Sequence, residues 1–205
     1  MTELNLLASQ PSPPNYPSLY RFDVRAYRQL LETGVVAADD RLELIQGTIL
    51  RMSPIGTKHQ ACVALLNRLF VRQLGDRAVV WPQNAIELSD RSQPQPDLAL
   101  LKPREDFYSD RYPTPDDTVL VVEIADSTVS FDRDVKMPLY ASAGIPEMWL
   151  VDLTRGCVEV YREPSDVGYQ TKRTASLDAE IAPATFPDCR LAVAEFVRVS
   201  GRSSS

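Results

Sequence analysis

The stretch QPQPDLALL, residues 93–101, joins a segment that cannot form a helix to a short apolar strand. Pro94 and Pro96 lack amide protons and restrict the residues before them, which excludes a regular helix there. Residues 98–101 then have the continuous apolar character of a strand buried on both faces. Asp97 lies between the two segments, although aspartate is depleted in strands and is costly to bury without a partner. On its own, an aspartate after a proline is most simply a turn residue.

The composition of the chain is that of an ordinary globular protein. Its 205 residues are 44% hydrophobic and 24% charged, which fits one domain with a substantial core. No apolar run is long enough to span a membrane and the N-terminus lacks a secretion signal, so we expect a soluble, cytoplasmic protein. The three cysteines are far apart and never in a C-x-x-C spacing, which predicts buried thiols rather than disulfides or a zinc site.

The charge balance argues against one way of binding nucleic acid. A net charge of −6 has the wrong sign for a protein that holds nucleic acid through its overall field. An acidic cluster that binds a divalent cation also counts as negative in this total, although the cation neutralises it. A nucleic-acid function therefore remains open, provided that local basic side chains contact the phosphates. The candidates are Lys58, Arg68, Arg72, Arg104, Arg111 and Arg133.

Hydrophobic periodicity predicts an α/β (mixed α+β) protein with one mixed sheet and helices packed on its faces. Helices are predicted from the N-cap Asp23 to about Thr33, from Thr57 to Leu74, and in a segment that ends near Gly144. We expect residues 21–198 to form a single domain, with loose ends at 1–20 and 199–205. Strands are predicted at 42–45 and 48–52, around the turn Gln46-Gly47, and at 79–81, 85–88, 98–101, 119–124, 147–152 and 157–162.

A second carboxylate lies at the edge of the predicted core. In VVEIADST, residues 121–128, Glu123 ends an apolar run much as Asp97 begins one. If the two strands pair side by side, both acids could meet one cation. Magnesium favours this arrangement, because it takes one or two carboxylates together with water and substrate phosphate. The alternative for Glu123 is a strand-end residue that pairs with an arginine.

Two further residues have simple structural interpretations. Asp132 and Lys136 are four apart, so on a helix they would form a solvated ion pair. Pro138 complicates this interpretation, because a proline is tolerated only in the first helical turn. We therefore expect the regular helix to begin near Asp134, with Asp132 outside it. His59, the single histidine, is near a helix start and is typical of a packed or capping residue.

An ordered series of motifs runs along the chain: Glu43 in ELIQG, Met52-Ser53-Pro54, His59-Gln60, Pro96-Asp97, Glu123 in VVEI, Ser127-Thr128, Lys136 with Leu139-Tyr140-Ala141 and Gly144, Glu147-x-Trp149 and Val151-Asp152. This series resembles the Uma-two family, which is similar to the PD-(D/E)XK nuclease superfamily. By that resemblance the fold is a restriction-endonuclease-like mixed β-sheet flanked by helices. The implied reaction is hydrolysis of DNA phosphodiester bonds with Mg²⁺, for which Mn²⁺ can substitute. Such nucleases often act as homodimers, although no sequence feature identifies an interface here.

The resemblance implies a role for each matched residue. Asp97 and Glu123 would bind the metal, and Glu43 matches an early acidic residue that would orient water or a second cation. The lysine of the E-x-K motif is missing, because Ala125 occupies its position. Similar families carry this lysine on the following helix, where Lys136 matches and would stabilise the charge that grows on phosphorus. His59 and Asp132 are accessory candidates.

Two other classes of function remain compatible with the sequence. The first is a catalytically silent nucleic-acid-binding or regulatory domain on the same fold, which the acidic balance and the absent E-x-K lysine favour slightly. The second is a structural or protein-interaction domain whose acidic residues belong to turns. Binding of DNA without cleavage would identify the former, and failure to bind a metal would identify the latter.

Overall fold

The computed structural model describes residues 19–36, 40–126 and 128–197. Most of the predicted loose N-terminal segment and all of the predicted C-terminal tail lie outside these residues. Within them, no helix has the length and apolar character needed to cross a membrane. The three cysteines are buried and free, as the sequence predicted.

The chain begins with a helix and a hairpin that share a small apolar core. Helix α1 spans Val24–Glu32, and its N-cap Asp23 accepts a hydrogen bond from the amide of Ala26 at 2.7 Å. Strands β1 (Leu42–Ile45) and β2 (Thr48–Arg51) pair in antiparallel register, as predicted. The Tyr27 hydroxyl donates to the carbonyl of Leu42 at 2.9 Å and so connects the helix to the hairpin.

The hairpin turn makes Gly47 a sensitive position. Its φ is +77°, and a Cβ atom there would lie 2.8 Å from the Cβ of Arg21. Gly47→Ala is therefore expected to lower the free energy of unfolding by about 2–3 kcal/mol, through left-handed strain and a steric clash. Gly34→Ala is the matched control, because Gly34 has φ +70° but nothing within 4 Å. Urea unfolding of both variants measures the difference, and equal losses would contradict the steric contribution.

Helix α2 spans Thr57–Leu74, with the bounds that periodicity predicted. Its buried side chains include Cys62, Leu66 and Phe70, which pack on one face of the central sheet. Phe70 lies against Trp149, with ring centroids 5.9 Å apart. The helix therefore covers the sheet from one side and places His59, in its first turn, at one end of that sheet.

The central sheet contains six strands in the order β3-β4-β5-β6-β7-β8. Only β5 and β6 are parallel among these pairs, so the sheet is mixed, as predicted. Strands β4, β5 and β6 are entirely buried, which explains their largely apolar sequences, and the first five residues of β7 are buried as well. The bounds are β3 Val79–Pro82, β4 Leu98–Leu101, β5 Thr118–Ala125, β6 Glu147–Asp152, β7 Cys157–Ser165 and β8 Gly168–Ala175.

The predicted strand at residues 85–88 is wrong. The amides of Ile86 and Leu88 donate to the carbonyls of Pro94 and Ser92, but no regular strand forms. Pro94 has no amide proton with which to donate in return, so a ladder cannot be completed. The apolar side chains of this segment are nevertheless buried, which explains why composition alone suggested a strand.

No helix or strand is predicted from the sequence after residue 162. Strand β8 has a mostly exposed middle and lacks apolar alternation, so it is formed by backbone pairing with β7. Strands β9 (Glu180–Ile181) and β10 (Leu191–Ala192) pair with each other. Helix α5 (Val193–Val197) packs beside α2 on the same face of the sheet.

The opposite face of the sheet is covered by a helical segment that runs from Val129 to Ser142. It comprises α3 (Val129–Phe131), a π-helical turn (Asp132–Lys136) and α4 (Met137–Ser142). Asp132 lies outside the regular helix α4, as expected, but α4 begins at Met137 rather than near Asp134, and Asp132 belongs to the π turn that precedes it. Pro138 cannot donate to the carbonyl four residues earlier, and the wider π turn accommodates it, with the Met137 amide bonded to the Asp132 carbonyl.

Candidate active site

The geometry of the sheet brings Asp97 and Glu123 together. Strands β4 and β5 are antiparallel with Leu98 opposite Val122, so the next pair outward along the two strands is Asp97 and Glu123. Both side chains are almost fully buried, at 7% and 2% exposure. Neither carboxylate is therefore an ordinary exposed turn residue. Among the described residues, Glu123 pairs with Lys136 and not with an arginine, which was its simpler interpretation.

Asp97 is held by two hydrogen bonds to the same oxygen. The backbone amide of Ile124 donates to Oδ2 at 2.9 Å, and His59 Nε2 lies 2.9 Å from that atom. An ionised carboxylate only accepts, so His59 acts as the donor through Nε2. Its Nδ1 atom is buried and has no partner among the described residues. His59 is therefore packed against Asp97 and fixes the direction of the carboxylate.

Lys136 is the centre of the cluster and is itself only 2% exposed. Its ammonium donates to Glu43 Oε1 at 3.0 Å and to Glu123 Oε1 at 3.1 Å. Glu43 comes from β1, which is 93 residues away from Lys136 in sequence. The structure thus brings together the four residues that the sequence singled out, from β1, the start of β4, β5 and the π turn. The second oxygen of Glu43 is buried without a partner among the described residues.

Two further side chains complete the cluster, and the sequence analysis gave neither of them a role. The Tyr140 hydroxyl donates to Glu123 Oε1 at 2.6 Å, and the Thr128 hydroxyl donates to Asp132 Oδ2 at 2.8 Å. Tyr140 could have been found from its position one helical turn after Lys136. Asp132 is 4% exposed and Lys136 pairs with Glu43 and Glu123, so the structure excludes the simple alternative of a solvated ion pair between Asp132 and Lys136.

Burial and repulsion perturb the ionisation of this cluster. Desolvation raises the pKa of Glu123 well above its usual range, an effect that the nearby ammonium of Lys136 partly opposes. Desolvation also acts to lower the pKa of Lys136, but the surrounding carboxylates outweigh it and the net pKa is raised. Burial raises the pKa of Asp132 to about 6. Four carboxyl groups thus surround one lysine, so the cluster carries an excess of negative charge when all of them are ionised.

The raised pKa of Asp132 makes stability depend on pH. The folded protein holds a proton on Asp132 up to about pH 6, whereas the unfolded chain loses it near the ordinary value of 3.8. Stability associated with this group is therefore present at pH 4 and is lost as pH rises to 7. Asp132→Asn removes this dependence, so the variant should gain up to about 3 kcal/mol over the wild type across that interval.

Urea unfolding at pH 4, 5, 6 and 7 in EDTA measures this gain. Asp134→Asn is the matched control, because Asp134 is exposed in the same turn. A gain of equal size in both variants would contradict the assignment to Asp132.

The cluster lines a cleft with a volume of about 260 Å³. Part of the cleft is lined by Arg41 and residues 52–56. The rest of the lining includes the ionisable side chains His59, Asp97, Glu123 and Lys136. The hydrogen bonds of Asp97 all fall on Oδ2 and those of Glu123 all fall on Oε1. One oxygen of each carboxylate thus remains for a ligand in the cleft.

The donor set fits a magnesium ion with two protein ligands. Among the described residues, no group of three or more His, Cys, Asp and Glu side chains is arranged to hold a metal. Magnesium does not require such a group, because it commonly keeps several waters and binds only one or two carboxylates. The remaining oxygens of Asp97 and Glu123 are of the correct chemical type. The excess negative charge of the cluster would also be relieved by a divalent cation.

The mixed sheet, its two helical layers and the buried lysine–carboxylate cluster together define a restriction-endonuclease-like α+β protein. Residues 24–194 match the model of the Uma2 family, which carries the description "Putative restriction endonuclease". This match covers most of the chain, and the protein therefore belongs to the Uma2 family. No protein with a curated description is significantly similar in sequence.

A solved structure supports the same fold. It is a crystal structure at 1.96 Å resolution of a protein from Anabaena variabilis ATCC 29413, described as "a putative nuclease belonging to DUF820". The TM-score is 0.60 with 18% sequence identity, and the similarity covers 76% of this chain and 89% of the other. The predicted fold class is thus confirmed.

Proposed function

We propose that this protein is a metal-dependent endonuclease that hydrolyses DNA phosphodiester bonds at the cleft above Asp97, Glu123 and Lys136. The observation that supports this most is the convergence of one lysine with Glu43, Asp97 and Glu123 from four separate parts of the fold. Burying so many charges has a large desolvation cost, which a purely structural role would not require. Perturbed ionisation inside a cleft is typical of functional sites.

Asp97 and Glu123 would hold the metal through the oxygens that face the cleft. A bound Mg²⁺ or Mn²⁺ would act as a Lewis acid on the phosphate and lower the pKa of an attacking water. His59 and the amide of Ile124 keep the Asp97 carboxylate in one orientation, because both bind its Oδ2 atom. Such supporting hydrogen bonds typically change metal affinity by about 10–100-fold.

Lys136 and Glu43 would act on the phosphate and the water. Two of the three ammonium donors of Lys136 are used by Glu43 and Glu123, so one donor remains for a phosphate oxygen. That donor would stabilise negative charge as it develops in the transition state. The unpartnered Oε2 atom of Glu43 can accept a hydrogen bond from the attacking water and orient it.

The test is cleavage of supercoiled plasmid by purified protein in Mg²⁺, in Mn²⁺ and in EDTA. We expect nicked or linear products with either metal and none in EDTA. Glu123→Gln should lower the cleavage rate by about a hundredfold or more, because it removes a charged ligand. Glu105→Gln is the matched control, since Glu105 is exposed in a distant loop, and it should retain full activity.

Three results would overturn the proposal in different ways. Cleavage that persists in the Glu123→Gln variant would assign the activity to another site or to a contaminant. Binding of a DNA duplex without cleavage in either metal would identify the silent binding domain. Absence of both DNA binding and metal binding by calorimetry would identify the structural alternative.

A further inference from the structure

A second group of charges surrounds Glu159, in the first half of β7. This carboxylate is only 1% exposed, yet three cationic side chains contact it. Arg133 Nη2 lies 3.1 Å from Glu159 Oε1, Lys172 Nζ lies 2.9 Å from the same oxygen, and Arg155 Nη1 lies 3.5 Å from it. The Tyr161 hydroxyl donates to Oε2 at 2.5 Å. We refer to Arg133, Arg155 and Lys172 as the basic cluster.

The basic cluster carries more positive charge than is needed to pair the buried carboxylate of Glu159. Arg133 alone donates to both oxygens of Glu159 from Nη2 and also from Nε, so this one guanidinium already pairs the acid. Adding two more cations brings like charges together and orders two long side chains, each at an entropic cost. An ion pair with one partner would avoid this cost.

The surplus charge reaches solvent. The side chains of Arg133, Arg155 and Lys172 are 33%, 62% and 44% exposed, whereas Glu159 is 1% exposed. The neighbouring Asp152 is also 1% exposed, and its Oδ1 atom accepts from the Arg155 amide. The surface that this group presents is therefore cationic, in a protein with a net charge of −6. Other candidate phosphate contacts differ: Arg104 and Arg111 pair with exposed or half-buried aspartates.

The basic cluster lies beside the candidate active site on the same face of the sheet. Glu123 is opposite Leu150 in the β5–β6 register, and Leu150 is opposite Glu159 in the β6–β7 register. The two carboxylates are therefore two strands apart, which corresponds to about 10 Å. Arg133 and Lys136 also come from the same π turn.

We propose that Arg133, Arg155 and Lys172 bind the sugar-phosphate backbone of DNA next to the cleft. This inference rests on the proposed function and adds the surface that would hold the substrate. Arginine and lysine donors suit phosphate oxygens, and a distance of about 10 Å from Glu123 fits phosphates a few nucleotides away along the strand. Glu159 is a positioning residue, because it holds the three cations together without facing the substrate.

The test is the salt dependence of binding to a fluorescein-labelled 20-base-pair DNA duplex, measured by anisotropy in EDTA. Arg155→Gln combined with Lys172→Gln leaves Arg133 to pair Glu159. The slope of log association constant against log salt should become shallower by about 2, and affinity at 50 mM salt should fall about a hundredfold. Arg68→Gln combined with Arg72→Gln is the matched control, with the same charge change at exposed positions of α2. These two sequence candidates for phosphate contacts lie on the helix that covers the other face of the sheet, away from the basic cluster. The control should bind like the wild type.

Charge-retaining substitutions separate binding from folding. Arg155→Lys combined with Lys172→Arg should keep the wild-type slope, whereas a structural role would make it as defective as the glutamine variant. An unchanged slope in the glutamine variant, an equal loss in the α2 control, or no binding by the wild type would overturn the inference. Because EDTA prevents metal-dependent cleavage, a protein that shows the expected slopes but never cleaves would refute the proposed function alone.

Discussion

Replacing Lys136 by methionine is expected to reduce plasmid cleavage about a thousandfold and to destabilise the fold by about 3–5 kcal/mol at pH 8. The catalytic loss follows from removal of the only ammonium that contacts Glu43 and Glu123 among the described residues. The loss of stability follows because these two carboxylates are 2% exposed and would have no cation beside them. Cleavage assays and urea unfolding measure the two effects separately.

The stability effect of Lys136→Met should depend on pH with a defined sign. Burial raises the pKa of Glu123, and removing the ammonium that partly opposes this effect should raise it further. This carboxyl group is then neutral and harmless at low pH, and it becomes destabilising as pH rises through its folded-state pKa. The destabilisation should therefore shrink between pH 8 and pH 5. A loss of stability that is constant over this interval would contradict the charge argument.

A combined variant separates folding from catalysis. Adding Glu43→Gln and Glu123→Gln to Lys136→Met leaves no buried charge among the three, so stability at pH 8 should recover. Cleavage should stay as low as in the single variant. Lys102→Met, at an exposed position, is the control for the loss of one lysine and should retain activity. Full cleavage by Lys136→Met would remove this residue from the proposed site.

Asp97→Asn is expected to lower the cleavage rate by about a thousandfold while changing stability by less than about 1 kcal/mol. Asparagine has nearly the same shape, and its carbonyl oxygen can accept the hydrogen bond that Ile124 now donates to Asp97. What disappears is the negative charge that would hold the metal. Calorimetry with Mn²⁺ should show a parallel loss of metal affinity.

The sequence provides a matched control for this variant. Asp116 also follows a proline, but it is exposed in a 3₁₀ turn just before β5, at the opposite end of that strand from Glu123. Asp116→Asn should leave cleavage and metal affinity unchanged. If both aspartate variants lose activity equally, the loss reflects something other than the position of Asp97 at the cleft.

The parts of the fold that sequence predicted well are those with a strong local signal. Helix α2 was predicted from its apolar stripe, and the buried strands β4, β5 and β6 from their continuous apolar runs. Strand β8 gave no such signal, because its middle residues are exposed and its pairing depends on backbone hydrogen bonds to β7. Residues 85–88 show the opposite case, in which apolar composition was present but prolines prevented a ladder.

The site was predictable only in part for a related reason. Local sequence indicated unusual acids at Asp97 and Glu123, whereas the pairing of their two strands was only a condition of the argument, which the structure meets. The contact between Lys136 and Glu43 joins residues 93 positions apart, and no periodicity encodes it. The family resemblance suggested both Lys136 and Glu43. No local pattern in the sequence indicated that Arg133, Arg155 and Lys172 form a cluster around Glu159, because they come from three separate segments.

The π turn between Asp132 and Lys136 contributes one side chain to the basic cluster and another to the candidate active site. Arg133 contacts Glu159, and Lys136, three residues later, contacts Glu123 two strands away. If Arg133 binds the DNA backbone while Lys136 contacts the scissile phosphate, their contributions to turnover will not be independent, because both side chains project from the same turn. Substrate affinity and catalytic rate would then change together when a single residue is inserted into or deleted from this turn. A substitution at Arg133 or at Lys136 would change one contact alone, whereas a change in the length of the turn would displace both side chains.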